Sequence, residues 1–447
     1  MPHVCLVGLS GFRVREAEMG ALGMALPGLH DRAKAIAGLP PLGLLTLAAM
    51  TPAHWNVSFR EASAVDDRLI HSIALERPDL VAISALTASI LEAYALADAL
   101  RKFGILVVLG GLHVTAMPEE ATLHADAIVV GDGESTWCDV LRDAESRKMQ
   151  PCYRPTKPFD LREAPLPRFD LLGARERPRY TVQTARGCPL ACEFCGASRM
   201  LGPFREKPLA NIERELAAIK AMQKRPLVEL ADDNTFAGKR DQRALLRLLG
   251  RSGIRYFTEA DWRIGERPDV LELLAESGCV QVLLGVETLE LRYKGMGAKG
   301  VSIQRVMEAA QRIQEAGVAA IGCFVVGADG EDYESLQVLG EFLQEAPLAD
   351  AQLTLQTPFP GTALHRRLRA DNRLLPDRGW ESYTLFDLTF APDKLSPESM
   401  ENGFRNLVRM TFDQHSTSRR QEIRKQVWAK RGLASSAGDA MSGGAAA

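Results

Sequence analysis

The chain has 447 residues, 46% of them hydrophobic and 25% charged, which is ordinary for a soluble globular protein of two or three domains. The formal net charge of −3 excludes a generally basic surface that would coat nucleic acid. No apolar run is long enough to span a bilayer, and the N-terminus lacks the pattern of a signal peptide, so we expect a cytoplasmic protein.

The first 147 residues alternate between apolar strands and helices. Strands are predicted at 4–9, 55–59, 80–84, 105–109 and 127–130, and the last two are followed by Gly110-Gly111 and by Gly131-Asp132-Gly133. Because fully apolar strands separated by helices form parallel sheets covered on both faces, we expect an α/β domain here. In such sheets ligands bind at the carboxyl ends of the strands.

The rest of the chain divides into four predicted segments. Residues 148–178 are rich in proline and lack periodicity, which predicts a linker over the surface. Residues 179–370 contain six further strand–helix units, too few for a closed eight-fold barrel, so we expect a partial (β/α)6 barrel of the TIM type. Residues 371–432 are predicted to be mainly helical, and the Ala/Gly/Ser-rich tail at 433–447 to be disordered.

Three of the eight cysteines lie within eight residues, directly after the first barrel strand: Cys188, Cys192 and Cys195. Iron–sulfur cubanes normally take four cysteines. Three thiolates therefore leave one iron open, and an open coordination position makes a metal site catalytic. The alternative is a zinc loop with a fourth ligand elsewhere, although zinc ribbons pair two CxxC units and the sequence has no second unit.

The cysteine segment resembles the signature of radical S-adenosylmethionine (SAM) enzymes, in which the residue before the last cysteine is aromatic, here Phe194. The resemblance implies a 4Fe-4S cluster whose open iron is chelated by the amino and carboxylate groups of SAM. An electron from an external donor of the flavodoxin or ferredoxin type then cleaves SAM to a 5′-deoxyadenosyl radical. Phe194 is expected to contact SAM.

Polar residues after the second barrel strand form a candidate site for the methionyl amine. Asp232, Asp233 and Asn234 offer several oxygen acceptors, which an ammonium group needs. They resemble the position that binds this amine in radical SAM enzymes. A helix N-cap, which Asp and Asn also favour, is the structural alternative.

Later strand ends supply further candidate contacts to SAM. Arg263 could bind the methionyl carboxylate, hold Glu259 in place, or form a plain surface ion pair. Glu287 ends a buried strand and must meet a partner, because burying a lone carboxylate is costly. By resemblance to the family, Glu287 binds ribose or supports the site, and the backbone around Val325 flanks the adenine.

Three hypotheses compete for the N-terminal domain: cobalamin, a dinucleotide, or no cofactor. The first strand is not followed by the G-x-G-x-x-G spacing of a dinucleotide site. A corrin and its long nucleotide tail need small and hydroxyl residues at several strand ends, and glycines let the backbone approach a ligand closely. The candidate cobalamin contacts are Ser84, Thr87, Ser89, Gly110, Gly111, His113, Val114, Gly131, Asp132, Gly133 and Glu134.

This arrangement resembles the Rossmann-like (flavodoxin-like) cobalamin-binding domain that is fused to one branch of radical SAM enzymes. Segments 40–45 and 357–362 also resemble runs found in that branch. One departure is the absence of the Asp-x-His-x-x-Gly run that supplies a cobalt-ligating histidine in many cobalamin proteins. We expect His113 to donate to a corrin amide and not to ligate cobalt. An empty, vestigial domain is the alternative.

The two resemblances together imply a cobalamin-dependent radical SAM enzyme, with methyl transfer to an unactivated carbon of a small molecule or lipid as the leading hypothesis. Cyclisation, ring rearrangement or oxidation without methylation is the first alternative, and a cobalamin carrier or sensor with an inert metal loop is the second. The basic stretch 419–431, with Ile423, Val427 and Trp428, could make weak contact with an anionic membrane surface, although a solvated helix explains the same pattern.

Overall fold

The computed structural model of the chain describes residues 1–9, 13–26, 29, 41–173, 177, 179–190, 192–196, 200–289 and 302–432. The tail predicted to be disordered and Pro40 of segment 40–45 lie outside these residues. None of the described helices is both long and apolar enough to cross a membrane.

The N-terminal domain is built on one parallel sheet with strand order β2-β1-β3-β4-β5-β6 among the described residues. The inner strands of this sheet are apolar at their centres, where Val4, Leu6, Val81 and Val107 are completely buried. The elements are β1 (His3–Leu9), α1 (Ala17–Ala25), α2 (Leu42–Met50), β2 (Asn56–Ala62), α3 (Asp67–Glu76), β3 (Leu80–Ser84), α4 (Ile90–Lys102), β4 (Leu106–Gly110), α5 (Leu112–Ala116), α6 (Pro118–Ala121), β5 (Ala127–Val129), α7 (Trp137–Glu145) and β6 (Cys152–Tyr153). The predicted parallel α/β domain is confirmed.

The second domain carries a parallel sheet in sequential order, β7 to β10, β11, β12, β13 and β14, and helices cover its outer face. This is the predicted six-unit partial barrel. Its elements are β7 (Tyr180–Val182), β8 (Ala185–Arg186), β9 (Arg205–Glu206), α8 (Leu209–Met222), β10 (Leu227–Leu230), α9 (Gln242–Ser252), β11 (Arg255–Asp261), α10 (Pro268–Glu276), β12 (Cys279–Glu287), α11 (Ile303–Glu315), β13 (Ala319–Val326), α12 (Tyr333–Glu345) and β14 (Asp350–Leu355). The short strands β8 and β9 pair with each other, antiparallel and apart from the main sheet.

The segment between the domains is more ordered than the predicted surface linker. Residues Cys152–Tyr153 form β6, which pairs in parallel with β5 and extends the N-terminal sheet. Further along, Phe159, Leu161 and Ala164 are buried together. Neither the strand nor the buried cluster could be predicted from periodicity. Prolines interrupt the periodic pattern of the sequence but do not prevent single apolar side chains from being buried.

The C-terminal region contains α13 (Ala363–Ala370), α14 (Pro397–Phe412) and α15 (Gln414–Ala429), as predicted. Helix α15 packs against the inner face of the barrel sheet, where Val427 and Trp428 are buried against Ala319 and Ile321. The indole Nε1 of Trp428 donates to the carbonyl of Val280 at 2.9 Å. The apolar side chains on which the membrane-surface hypothesis depends are therefore occupied by the protein's own core.

Candidate functional site

A two-stranded ribbon closes the base of the cysteine loop. Arg186 at the end of β8 lies opposite Arg205 at the start of β9, so the segment that carries all three cysteines begins and ends at one pair of residues. Gly187 follows with φ +81°, and a Cβ there would lie 3.1 Å from the carbonyl oxygen of Gly202. Glycine is needed at this position by both conformation and space.

The cysteine loop is also attached to the C-terminal helix α13. The carboxylate of Glu193 accepts from Arg367 at 2.5 Å, and its backbone carbonyl accepts from the amide of Leu364 at 3.1 Å. Phe194 packs against the main core of the barrel. The loop is thus held at its base by the ribbon and again between Cys192 and Cys195 by helix α13.

The donor set fits a cubane. Cys192 is buried, whereas Cys188 and Cys195 are partly accessible. Within the described residues no group of three or more His, Cys, Asp or Glu side chains converges on a single metal ion. A cubane does not require such convergence, because each thiolate binds a different iron. The assignment of the three cysteines as ligands remains a prediction.

Asp232 is a structural anchor for the start of the cysteine loop. Its carboxylate accepts from the backbone amides of Thr184 and Ala185 at 2.6 and 2.8 Å, and from the hydroxyls of Thr184 and Thr235 at 2.6 and 2.9 Å. Burial raises the pKa of Asp232, and these four donors oppose the shift. Both carboxylate oxygens already accept hydrogen bonds within the protein. Asp232 is therefore better placed to hold the start of the cysteine loop than to make the predicted contact with SAM.

Asp233 is better placed than Asp232 to meet a cation. Its side chain is only partly buried, and it lies near the backbone of Gly187. Desolvation, followed by the charge of Asp232, raises the pKa of the Asp233 carboxyl. A cation beside it would relieve both effects. Asn234 is buried.

The inner face of the barrel carries several carboxylates at the strand ends. In β11 the side chains of Tyr256 and Ala260 pack into the core under the helices, so the alternation of the strand turns Glu259 towards the inner face. Desolvation raises the pKa of Glu259 to about 8, with smaller contributions from Glu229, Asp233, Glu287 and Asp232. Water reaches this side chain, although protein carboxylates surround it. The inner face therefore attracts a cation.

One hypothesis from the sequence was that Arg263 holds Glu259 in place. The structure, which describes both residues, does not show this contact. The guanidinium of Arg263 binds both oxygens of Asp261 at 2.7 and 2.9 Å and is partly exposed, which matches the ion-pair alternative. Glu287 ends β12 with φ +70°, an uncommon conformation for a residue other than glycine, at a register shift against β13. Val325 lies partly buried on β13, level with Thr354 of β14.

A cavity of about 560 Å³ lies between the two domains, within the usual size range of ligand pockets. Five of the predicted cobalamin contacts line it: Gly111, Gly131, Asp132, Gly133 and Glu134. Helix α2 contributes Leu42, Gly43 and Thr46, and the barrel contributes Gln183, Arg186, Lys207 and Ala231. Glycines, apolar side chains and polar side chains together line the cavity. This lining fits a flat corrin with amide substituents.

Two of the five predicted contacts that line the cavity, Asp132 and Glu134, form ion pairs with arginines of the barrel. Asp132 accepts from Arg186 at 2.7 Å and from Arg205 at 2.8 Å, and Glu134 accepts from Arg186 at 2.7 Å. Burial alone would raise the pKa of Asp132. The hydrogen bonds from Arg205, the amide of Phe159 and Arg186 outweigh burial and lower this pKa. Sequence reasoning missed both arginines, even though they flank the cysteine loop and each could pair with an acid.

His113 is not among the residues that line the cavity. Its ring is fully buried, with Nδ1 3.2 Å from the hydroxyl of Thr87 and the ring centroid 5.1 Å from that of Trp380. Burial lowers the pKa of His113, opposed by Glu120. The predicted hydrogen bond from His113 to a corrin amide is therefore not supported. The cavity lining also does not include Ser84, Thr87, Ser89, Gly110 and Val114.

Comparison with protein families matches two separate segments of the chain. Residues 32–141 match the model described as the B12 binding domain, and residues 182–343 match the model of the radical SAM superfamily. The chain is a radical SAM protein with an N-terminal B12-binding domain. The predicted family is thereby confirmed, and so is the set of three cofactors that the two domains imply: a 4Fe-4S cluster, SAM and cobalamin.

Curated relatives of this radical SAM protein include methyltransferases and a cyclase. It is 25% identical over 399 residues to bacteriochlorophyllide d C-12(1)-methyltransferase of Chlorobaculum tepidum, covering 87% of this chain and 86% of the relative. It is 27% identical over 361 residues to hopanoid C-2 methylase of Rhodopseudomonas palustris, covering 77% and 67%. It is 23% identical over 445 residues to anaerobic magnesium-protoporphyrin IX monomethyl ester cyclase of Rubrivivax gelatinosus, covering 90% and 80%.

Solved structures share the fold of this radical SAM protein. The cobalamin-dependent SAM radical enzyme OxsB matches with a TM-score of 0.69 at 14% identity, over 90% of this chain. The chain spans about two thirds of OxsB, since 66% of that chain is covered. The radical SAM methyltransferase TsrM of Kitasatospora setae matches with a TM-score of 0.65 at 16% identity, over 90% of this chain and 83% of TsrM. The predicted fold class is confirmed.

Proposed function

We propose that the protein is a cobalamin-dependent radical SAM methyltransferase that methylates an unactivated carbon of a small molecule or lipid. The observation that carries the proposal is the shared cavity, because loops of the B12-binding domain and strand ends of the barrel line the same space. Relatives named for a chlorophyllide and a hopanoid support a large, mainly apolar small molecule as the substrate.

When bound, the cluster and SAM supply a carbon radical and cobalamin supplies a methyl group, so the protein's task is positioning and exclusion of water. Cys188, Cys192 and Cys195 would hold three irons of the cluster. The backbone of Gly131 and Gly133 would approach the corrin closely, since neither residue has a side chain to keep it away. An external electron donor of the flavodoxin or ferredoxin type would reduce the cluster.

Glu259 would respond to the cationic methionyl end of SAM. Desolvation and the neighbouring carboxylates raise the pKa of this carboxyl, which favours its protonated form. An ammonium or sulfonium group placed beside Glu259 and Asp233 favours their ionised forms and lowers both pKa values. Binding of SAM would therefore release a proton from the carboxyl of Glu259 into the medium.

Product analysis tests the proposed reaction. The protein, reconstituted anaerobically with iron, sulfide and cobalamin, would be incubated with a reductant, a small-molecule and lipid extract, and SAM that carries a trideuterated methyl group. We expect 5′-deoxyadenosine, S-adenosylhomocysteine and a product that has gained the labelled methyl group. Turnover that yields 5′-deoxyadenosine without any methylated product would contradict methyl transfer.

Two other functions can be distinguished from methyl transfer, one by the same product analysis and the other by replacing the cysteines. The similarity to a magnesium-protoporphyrin ester cyclase favours a non-methylating cyclisation, rearrangement or oxidation as the second candidate. That reaction would form 5′-deoxyadenosine with little S-adenosylhomocysteine. A cobalamin carrier or sensor with an inert metal loop would keep its activity when the three cysteines are replaced by alanine.

A further inference from the structure

A single carboxylate of the B12-binding domain holds both ends of the cysteine loop. Oδ1 of Asp132 accepts from Arg186, and Oδ2 accepts from Arg205 and from the backbone amide of Phe159. Arg186 and Arg205 are register partners in the β8–β9 ribbon. Asp132 itself lies between Gly131 and Gly133, in the loop that lines the cavity.

The surrounding contacts leave the two guanidinium groups little freedom. Arg186 also donates to Glu134 at 2.7 Å and to the side-chain oxygen of Gln183 at 3.0 Å. Arg205 also donates to the carbonyls of Phe159 at 2.9 Å and Leu201 at 2.5 Å. Asp132 and Glu134 have side chains only 9% and 7% exposed, and charge-assisted hydrogen bonds out of water are strong and geometrically specific.

We propose that Asp132 is a positioning residue, which joins the cobalamin-facing loop to both ends of the cysteine loop and so fixes the separation of the two cofactors across the cavity. The inference rests on the proposed function only in that both cofactors are bound; it does not require that methylation occur. A contact between the Asp132 carboxylate and cobalamin, as predicted from the sequence, is the competing role.

The relative position of the two loops matters because radical chemistry and methyl delivery must meet at one carbon atom. A displacement of about 1 Å in a reacting geometry can cost about 10²-fold in rate. Two arginines at the base of the loop resist both translation and rotation, which one ion pair would not. The ribbon and the carboxylate of Asp132 together connect the two domains at the base of the cysteine loop.

The test compares Asp132→Asn with a matched control, Glu61→Gln. Glu61 of β2 also makes an ion pair outside its own domain, with Arg177 of the segment that connects the two domains, and neither residue lines the cavity. Both substitutions remove one charge and keep the side-chain shape. Each protein would be loaded with cluster and hydroxocobalamin and reduced to the paramagnetic cluster and cob(II)alamin. The magnetic interaction between the two centres would then be measured by EPR, alongside cobalamin affinity and products.

For Asp132→Asn we expect both cofactors to bind, a broader or shifted magnetic interaction, and a rise of about 10- to 100-fold in 5′-deoxyadenosine formed per methyl group transferred. Glu61→Gln should behave as the wild type in all three measurements. An unchanged interaction in Asp132→Asn would overturn the proposal. Weakened cobalamin binding with an unchanged interaction would overturn it in favour of direct contact.

If Asp132→Asn fails to fold, Glu134→Gln removes one of the two acids that hold Arg186 and should give a smaller change in the same direction. Equal loss of both cofactors from Glu134→Gln and Glu61→Gln would contradict a positioning role, because it would show that these pairs only keep the domains associated. A protein that binds both cofactors normally but never methylates would refute the proposed function and leave the magnetic test of Asp132 intact.

Discussion

Replacing Asp232 should damage the cysteine loop without touching a cysteine. In Asp232→Ala, four hydrogen bonds disappear, and the backbone amides of Thr184 and Ala185 lose their acceptor inside the protein. An unsatisfied buried donor costs about 1–3 kcal/mol, so two of them give a loss of about 4 kcal/mol. Asp232→Asn keeps an oxygen for the amides and loses the charge, which should cost about 2 kcal/mol.

The assay is the thermal unfolding of the cluster-free protein together with the iron bound after reconstitution. In a domain of this size, each kcal/mol of lost stability lowers the unfolding temperature by about 2–4 °C. Asp232→Ala should therefore unfold at a temperature roughly 10 °C below that of the wild type. It should also retain less iron, because the first cysteine, Cys188, lies three residues after the anchored amide of Ala185. Asp269→Asn, an exposed acid of the same domain, is the control and should shift stability by less than about 0.5 kcal/mol. Wild-type stability and full iron content in Asp232→Ala would refute the anchoring role.

Three further predictions concern the cluster, the inner face of the barrel and the C-terminal helix. Cys195→Ser should abolish the cubane absorbance and SAM cleavage, whereas Cys152→Ser, at an exposed cysteine, should change neither; a retained cubane in Cys195→Ser would contradict the ligand assignment. Because the pKa of Glu259 in the folded protein, about 8, lies above its ordinary value of 4.5, the native state binds the extra proton and this stabilisation is lost as pH rises between those values. Glu259→Gln should therefore unfold at a higher temperature than the wild type at pH 8.5 but not at pH 5, and equal differences at both pH values would be inconsistent with the shift. Trp428→Ala should destabilise the barrel by about 3–5 kcal/mol in denaturant unfolding, since it removes a buried indole and its hydrogen bond; an effect below about 1 kcal/mol would show that α15 is loosely attached.

The strands of both sheets could be predicted because their burial leaves a direct mark on the sequence. Runs such as 80–83 and 320–326 are continuously apolar, as expected for strands that are covered on both faces. Strand β6 was missed because it has only two residues, and its pairing with β5 is a tertiary event that no local pattern records.

The candidate site was predictable where chemistry requires a fixed spacing and not where partners are distant in sequence. The three cysteines predict a cluster because all of them lie within eight residues of the sequence. Arg186 and Asp132 are separated by 54 positions, and neither has a pattern that points to the other. Acids near a glycine-rich turn suggested ligand binding, and no pattern in the sequence indicated that these acids also pair with arginines of the barrel.

His113 shows the same limit for a single residue. A lone imidazole after a glycine pair at a strand end suggested a cofactor contact. In the fold it is buried beside Trp380, whose position depends on a C-terminal segment more than 200 residues away. Packing between distant segments decided where this ring lies.

The central claim is that a cubane on three cysteines leaves one iron open to SAM. Mössbauer spectroscopy of anaerobically reconstituted protein enriched in ⁵⁷Fe tests this most directly. Addition of SAM should change the spectrum of one iron of the cluster and leave the others as they were. If all irons are unaffected by SAM, or if the purified protein holds zinc at these cysteines and forms no cubane, the account is contradicted.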